Sequence, residues 1–201
     1  MTLVIYGDLR SGACLKVKWT AERLGLAYDW VDVDVTAGEA GKAGLRRLNP
    51  AAQVPTVLLE DGRALAQSNA ILLHLGEGTA LSPEDPYWRA KMWEWLFWEQ
   101  SSHEPYVGGR RNAIVYRNTP EDQLDPALLV RGEAALARME GWLAASPYLV
   151  DQRLTLADIA LLPYTRLAPE GGFDLGRYPA VREWVARAER ELGVLDYAAA
   201  A

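Results

Sequence analysis

The spacing of apolar residues changes character near residue 78. Leu3-Val4-Ile5-Tyr6 is a continuous apolar run closed by Gly7-Asp8, the pattern of a buried strand. Cys14, Val17, Ala21 and Leu24 then recur at helical spacing, with Lys16, Lys18, Glu22 and Arg23 off that stripe. Gly25 is placed to stop this helix. Tyr28 to Val35 alternates aromatic or valine residues with aspartate, which predicts a strand with one wet face. Val57-Leu58-Leu59 and Ala64-Leu65-Ala66 flank Glu60-Asp61-Gly62-Arg63, whose Asp-Gly pair predicts a hairpin. Ile71, Leu72 and Leu75 mark one short helix ending at Gly76 and Gly78. The predicted order over residues 1–78 is therefore β-α-β-α-β-β-α, with an antiparallel hairpin near its end.

Thr79 to Pro86 holds two prolines and few apolar residues, which suits a linker. Beyond it only helical periodicity is visible. Trp88 to Val107 reads as one long aromatic-rich helix, and Leu136, Met139 and Leu143 mark the core stripe of the next. Leu156, Ile159 and Ala160 begin a third, and Val181, Val185, Ala188 and Leu192 line a fourth. The expected organisation is an α/β domain over 1–78, a linker over 79–86 and an all-α domain over 87–201. Thr155 and Asp158 have the spacing of a capping box, with Leu154 and Ile159 as its hydrophobic staple. Pro163 is expected to kink that helix or loosen its first turns. Trp88, Trp93, Trp95 and Trp98 read as core or dimer packing, because aromatics this dense on a helix bury.

With 201 residues, 50% hydrophobic and 24% charged, the chain has ordinary globular composition. Its formal charge of −6 and the absence of long Lys/Arg runs argue against nucleic acid as a partner. No run approaches the roughly 18 apolar residues that span a membrane. Strand-like sequence from Thr2 onward leaves no signal peptide to be expected. A single cysteine builds no internal disulfide, so a cytoplasmic location is expected.

Candidate chemistry gathers where strands give way to helices. Ser11 stands at the start of the first helix, where free N–H groups and the helix dipole favour an anion. Gln67-Ser68-Asn69 begins a second such helix, and Val54-Pro55 lies between the two. Together they suggest a pocket for a small, charged, thiol-bearing molecule. Spacing alone also permits plainer readings: Ser11 and Ser68 as ordinary helix caps, and Pro55 as an edge-strand proline. Cys14 shares the apolar face of Val17, Ala21 and Leu24, which makes it a small core residue. His74 and His103 form no metal-ligand spacing, so no metal site is expected and both read as structural.

Four stretches in order resemble the cytosolic glutathione transferase family. Arg10-Ser11-Gly12-Ala13-Cys14-Leu15-Lys16-Val17 is similar to the serine-bearing first loop and helix of theta, zeta and related bacterial classes. Leu48-Asn49-Pro50-Ala51-Ala52-Gln53-Val54-Pro55-Thr56 matches the family's approach to its cis-proline. Gln67-Ser68-Asn69-Ala70-Ile71 matches its third-helix start, and Leu154 to Leu162 its buried capping-box helix. The resemblance implies a thioredoxin-like first domain, a helical second domain and a homodimer. It implies no permanently bound cofactor, with glutathione as co-substrate and a small hydrophobic electrophile as the second substrate. Ser11 would then stabilise the glutathione thiolate. Val54 and Pro55 would meet its cysteinyl backbone, as in strand addition, and Gln67 and Ser68 would hold its γ-glutamyl end. Lys42 is considered for the glycyl carboxylate, although residues 40–44 depart from the family's usual arginine-containing stretch. Tyr106 and Arg110 are the candidates for the second-substrate site, expected against the long helix.

Magnitudes suit that assignment. A free thiol with pKa near 8.5 is only about 3% thiolate at pH 7, and lowering it by roughly two units takes about 2.7 kcal/mol. One hydroxyl donating to a charged acceptor contributes about 1.5–3 kcal/mol and a helix N-terminus about 0.3–1. Alternatives are a glutathione-dependent peroxidase or disulfide reductase, and a non-catalytic glutathione-binding regulatory member of the fold. Maleyl isomerisation is weaker, because Gly12 and Ala13 replace the polar and cysteine positions of the zeta-class loop.

Overall fold

The computed structural model describes residues 2–41 and 43–195, which form two units, one ending at Thr79 and the other starting at Ala80. In the first unit the elements are β1 (Leu3–Gly7), α1 (Gly12–Arg23), β2 (Tyr28–Asp32), α2 (Ala43–Leu48), β3 (Thr56–Leu58), β4 (Ala64–Ala66) and α3 (Ser68–Gly76). This is the predicted β-α-β-α-β-β-α order. The sheet runs β2-β1-β3-β4, with β1 parallel to β2 and the other two pairs antiparallel. It is the thioredoxin-like arrangement.

Local chemistry explains most element ends. Gly25, at φ +66°, lets Leu26 N–H return to the Ala21 carbonyl at 2.9 Å and closes α1. Gly62, at φ +86°, completes the hairpin turn in which its N–H meets the Leu59 carbonyl at 2.9 Å. β2 is shorter than the predicted Tyr28 to Val35. Asp34 ends it by turning the chain, since its Oδ1 accepts from the N–H of Thr36 at 2.8 Å and of Ala37 at 3.0 Å.

Ile5 and Val57 of the sheet are buried together with Cys14, Val17 and Ala21 of α1 and Ile71 and Leu72 of α3. Lys16 corrects the simple stripe: it lies off the apolar face in sequence, yet its side chain is 0% exposed. Leu15, Trp19 and Thr20 are buried as well, so α1 is covered on more than the face its periodicity marks.

The second unit holds no strand among the described residues, only a single bridge between Val150 and Arg153. Helix α4 starts at Pro86, two residues before the expected Trp88. Asp85 accepts from the N–H groups of Tyr87 at 2.9 Å and Trp88 at 3.0 Å, and Pro86 needs no N–H partner there. After Pro86–Trp98 the helix continues in a π-helical stretch (Glu99–Gly108), one α turn (Gly109–Arg111) and a second π stretch (Asn112–Tyr116). The regular helix expected to end at Val107 is thus longer and wider-wound. Pro105 lies inside the first π stretch. It supplies no N–H and crowds the preceding turn, and wider winding relieves both.

Helices α5 (Pro126–Leu143), α6 (Leu156–Arg166) and α7 (Pro179–Leu192) complete the unit. Helix α6 continues through Pro163 to Arg166. Its capping box is formed: Asp158 Oδ2 accepts from Thr155 N–H at 2.9 Å and from Thr155 Oγ1 at 3.0 Å. Asp158 Oδ1 accepts from Leu149 N–H at 3.0 Å and Trp184 Nε1 at 2.9 Å, so one carboxylate joins α6, α7 and the preceding loop. Trp95 is buried and packs edge-on against Trp98 and Trp142, with ring centroids 5.2 and 5.8 Å apart. Trp93 is exposed. No helix among the described residues is long and apolar enough to cross a membrane.

Candidate functional site

Strand register brings three of the sequence-derived segments to one end of the sheet. Tyr6 pairs with Thr56, and Thr56 pairs with Ala66, both antiparallel. The next residue outward on each strand is Gly7, Pro55 and Gln67. Hence the loop leaving β1 with Ser11, the Val54-Pro55 segment leading into β3, and the Gln67-Ser68 turn leaving β4 share an edge.

Ser11 caps α1 through its backbone: its carbonyl accepts from Cys14 N–H at 3.1 Å and Leu15 N–H at 3.0 Å. Its side chain makes no capping bond. The ordinary-cap alternative therefore fails for the hydroxyl, which instead acts on the Cys14 thiol by favouring its ionised form. Burial pushes that thiol up to about 11, against smaller opposing effects from the Asp8 backbone and the Ser11 hydroxyl. With its side chain 0% exposed, Cys14 is the core residue its periodicity predicts.

A charged latch holds this loop, and the sequence reading missed it. Arg10 donates through its backbone N–H and Nε to Asp8 Oδ1, each at 2.9 Å, and through Nη2 to Asp8 Oδ2 at 2.7 Å. The same Nη2 reaches Asp34 Oδ1 at 2.9 Å. Ser11 N–H then donates to the Asp8 carbonyl at 2.9 Å, so the hydroxyl-bearing residue hangs directly from the latch. An aspartate ending β1 and another just past β2 were the available signal. Only the pairing of those strands makes them neighbours.

Val54–Pro55 is a cis peptide. No described residue hydrogen-bonds the Val54 N–H or carbonyl, which leaves both open to a peptide-like ligand. Buried Asn49 braces the segment by donating to the Gln53 carbonyl at 3.0 Å and to Thr56 Oγ1 at 3.1 Å. Thr56 Oγ1 donates onward to the Gln53 carbonyl at 2.8 Å.

Gln67 precedes α3 with φ 72° and ψ 111°, a conformation side-chain-bearing residues rarely adopt. Strain of this kind costs on the order of 1–3 kcal/mol and concentrates at ligand clamps. Ser68, which begins α3, is buried, and its hydroxyl has no hydrogen-bond partner among the described residues. The first intrahelical bond of α3 runs from Ile71 N–H to the Gln67 carbonyl at 3.0 Å. The N–H groups of Ser68 and Ala70 thus precede the helical ladder, an arrangement suited to a carboxylate.

The remaining candidates lie outside these three segments. Lys42 lies outside the described residues. Arg110 is buried in the helical unit, with Nε donating to the Gly171 carbonyl at 2.7 Å and Nη2 to Glu121 at 3.3 Å. Tyr106 faces α5, and its hydroxyl accepts from Arg131 Nη1 at 2.5 Å. His103 is buried, with Nε2 3.0 Å from Thr165 Oγ1, and His74 is exposed.

A thioredoxin-like sheet whose Ser11, Val54-Pro55 and Gln67-Ser68 segments gather at one end, in a chain that continues into an all-helical unit, defines a two-part thioredoxin-fold protein. Comparison with known proteins narrows this. Family models for the glutathione S-transferase N-terminal domain and C-terminal domain match residues 10–77 and 100–191. A glutathione S-transferase from Pseudomonas fluorescens Pf-5 is 41% identical, covering 94% of this chain and 95% of its own, with a TM-score of 0.90. A possible glutathione S-transferase from Rhodopseudomonas palustris is 36% identical, covering 98% of each chain, with a TM-score of 0.92. Ure2p in complex with glutathione, at 22% identity, covers 95% of this chain and 96% of its own with a TM-score of 0.85, a likeness of fold alone. The chain belongs to the glutathione S-transferase family.

Proposed function

We infer that the protein is a serine-type, theta/zeta-like glutathione transferase that activates the thiol of bound glutathione for attack on a small hydrophobic electrophile. The observation that carries this reading is the register that sets Gly7, Pro55 and Gln67 side by side. Ser11 donates its hydroxyl hydrogen to the incoming sulfur. A charge-assisted bond is roughly twice as strong as a neutral one, so this contact favours the thiolate over the thiol. The Val54 N–H and carbonyl pair with the cysteinyl backbone. Gln67 accepts from the γ-glutamyl ammonium, and Ser68 with the first N–H groups of α3 receives its carboxylate. The thiolate fraction rises at most about thirty-fold, so larger rate gains come from positioning the electrophile beside the sulfur. The same reading has the protein acting as a cytoplasmic homodimer in detoxification.

Replacing Ser11 by Ala is expected to cut turnover at least ~10-fold with glutathione affinity nearly unchanged. Undiminished turnover would remove Ser11 from its role. A panel of aryl halides, epoxides, peroxides and disulfides assayed with glutathione identifies the electrophile and separates transferase from peroxidase or reductase activity. A second reading, glutathione binding without catalysis, is favoured by the influence of the Ser11 hydroxyl on the Cys14 thiol, which points to a role for it inside the loop. Tight glutathione binding with no turnover across the panel would select it.

A further inference from the structure

A cavity opens within the first unit, at the end of the sheet opposite the proposed glutathione segments. Its volume is about 400 Å³. Leu3 at the start of β1, Leu26 after α1, Leu59 in the hairpin and Leu75 near the end of α3 line it, together with Glu60 and His74. Leu3 stands four residues before Gly7 on β1, a separation of about 13 Å along the strand.

Local turns bring these side chains together. Gly25, at φ +66°, turns the chain out of α1 and delivers Leu26 to the cavity, where it is 37% exposed. Leu59 N–H donates to the Arg63 carbonyl at 2.8 Å and closes the hairpin, which carries Glu60 and Asp61 at its tip. Asp61 is already engaged, because it accepts from Arg63 N–H at 3.0 Å and from Arg63 Nε at 2.7 Å. Glu60 differs. It has no hydrogen-bond or ion-pair partner among the described residues. Arg63, the one arginine or lysine lining the cavity, is committed to Asp61. Four leucines therefore stand beside one uncompensated carboxylate.

We propose that this cavity binds a small aliphatic amine in its ammonium form, with the alkyl group against the four leucines and the nitrogen on Glu60. An ammonium is a compact charge with up to three donors, which suits a single carboxylate. The alkyl group covers apolar surface that the fold leaves in water, and this favours binding in proportion to the area removed. An anion of the same shape meets Glu60 with like charge and is rejected. The volume accommodates a single ring or a short chain. The proposal is independent of the glutathione site.

Calorimetric titration with cyclohexylamine, cyclohexanol and cyclohexanecarboxylate at neutral pH tests it. Saturable binding of the amine is expected, with the alcohol at least ~5-fold weaker and the carboxylate weaker still. Glu60→Gln should weaken the amine at least ~5-fold and leave the alcohol unchanged. Ala27→Trp, which also lines the cavity, should fill it and abolish binding of both. Both positions are exposed, so each variant should keep the native melting transition. The chain holds two histidines, and His103 is buried in the helical unit. The amine should therefore shift the proton NMR signals of the His74 imidazole and leave those of His103 in place. Saturating glutathione should leave amine affinity unaltered. Equal affinity for amine and carboxylate, no saturable amine binding at millimolar concentration, full affinity in Ala27→Trp, or displacement of the amine by glutathione would each overturn the proposal.

Discussion

Arg10 and Asp8, two residues apart, form a bidentate ion pair with Nε to Oδ1 at 2.9 Å and Nη2 to Oδ2 at 2.7 Å. The pair closes the loop between β1 and α1, and the Asp8 carbonyl holds Ser11 N–H. Geometry at the proposed thiolate-stabilising hydroxyl therefore depends on a carboxylate that would touch no ligand.

Asp8→Asn should release that loop. Burial pushes the Asp8 carboxyl upward, but hydrogen bonds from Arg10 and the Val35 N–H outweigh it and leave the pKa below the usual carboxylate value. The resulting stabilisation is present above the unfolded-state pKa near 3.9 and fades as pH falls through the lower folded value. At neutral pH the substitution is expected to cost about 1.5–3 kcal/mol in urea unfolding, the range of a charge-assisted bond. Turnover with glutathione should fall with it. An unchanged unfolding midpoint at neutral pH would show that the pair is not a structural latch.

Gln67→Gly should separate stability from binding. Glycine adopts φ near 72° without strain, so the variant gains stability, by about 1 kcal/mol after its own unfolded-state entropy is counted. It also loses the side chain assigned to the γ-glutamyl ammonium, and glutathione affinity should drop roughly 10-fold. Thermal melting and calorimetry on the same samples check both halves. Loss of stability with intact affinity would mean that the conformation serves packing instead of the ligand.

The Cys14 thiol should resist alkylation. With its pKa pushed up to about 11, only about one molecule in ten thousand is thiolate at pH 7, about three-hundred-fold less than for a free cysteine. Burial slows the reaction further. Iodoacetamide labelling of the native protein is expected to run at least ~100-fold slower than labelling in urea. Rapid native labelling would show instead that the thiol is reachable and reactive.

The fold was legible in the sequence wherever period and punctuation agreed. Strand β1, the Asp61-Gly62 hairpin and the Gly25 stop follow from short-range steric rules, and each stands where those rules place it. The end of β2 was hidden, because Asp34 acts by bonding N–H groups two and three residues ahead, which an alternating pattern does not register. Lys16 misled for a different reason: a stripe marks the face that must be buried, not every face that neighbouring elements cover. The π-helical winding of α4 was equally invisible, since Pro105 signals a break and tertiary packing turns it into a change of pitch. Within the candidate site, the loop, proline and helix-start segments were readable as motifs. The Asp8–Arg10–Asp34 latch was not, because it exists only once β1 and β2 pair.

Asp158 gives a pH dependence of opposite sign to that of Asp8. Its carboxyl is wholly buried in the helical unit, and burial raises its pKa to about 6 despite bonds from Leu149, Trp184 and Thr155. Against an ordinary value of 3.8, that shift of about two units corresponds to roughly 3 kcal/mol. Between these two values the folded state holds more protons than the unfolded state, so stability falls as pH rises and levels off above about 6. Other carboxylates titrate in the same window, and Asp158→Asn removes this one from the sum. The variant retains one acceptor oxygen for Leu149 and Trp184 but turns an amide donor toward the Thr155 N–H, so it is less stable than the parent. The stability gap between parent and variant, measured by urea unfolding, should be widest at and below about pH 4 and narrow toward pH 7 by up to ~3 kcal/mol. A gap that widens over that range would mean that the hydrogen bonds accepted by the ionised carboxylate outweigh its burial, and that the capping box is strongest when charged.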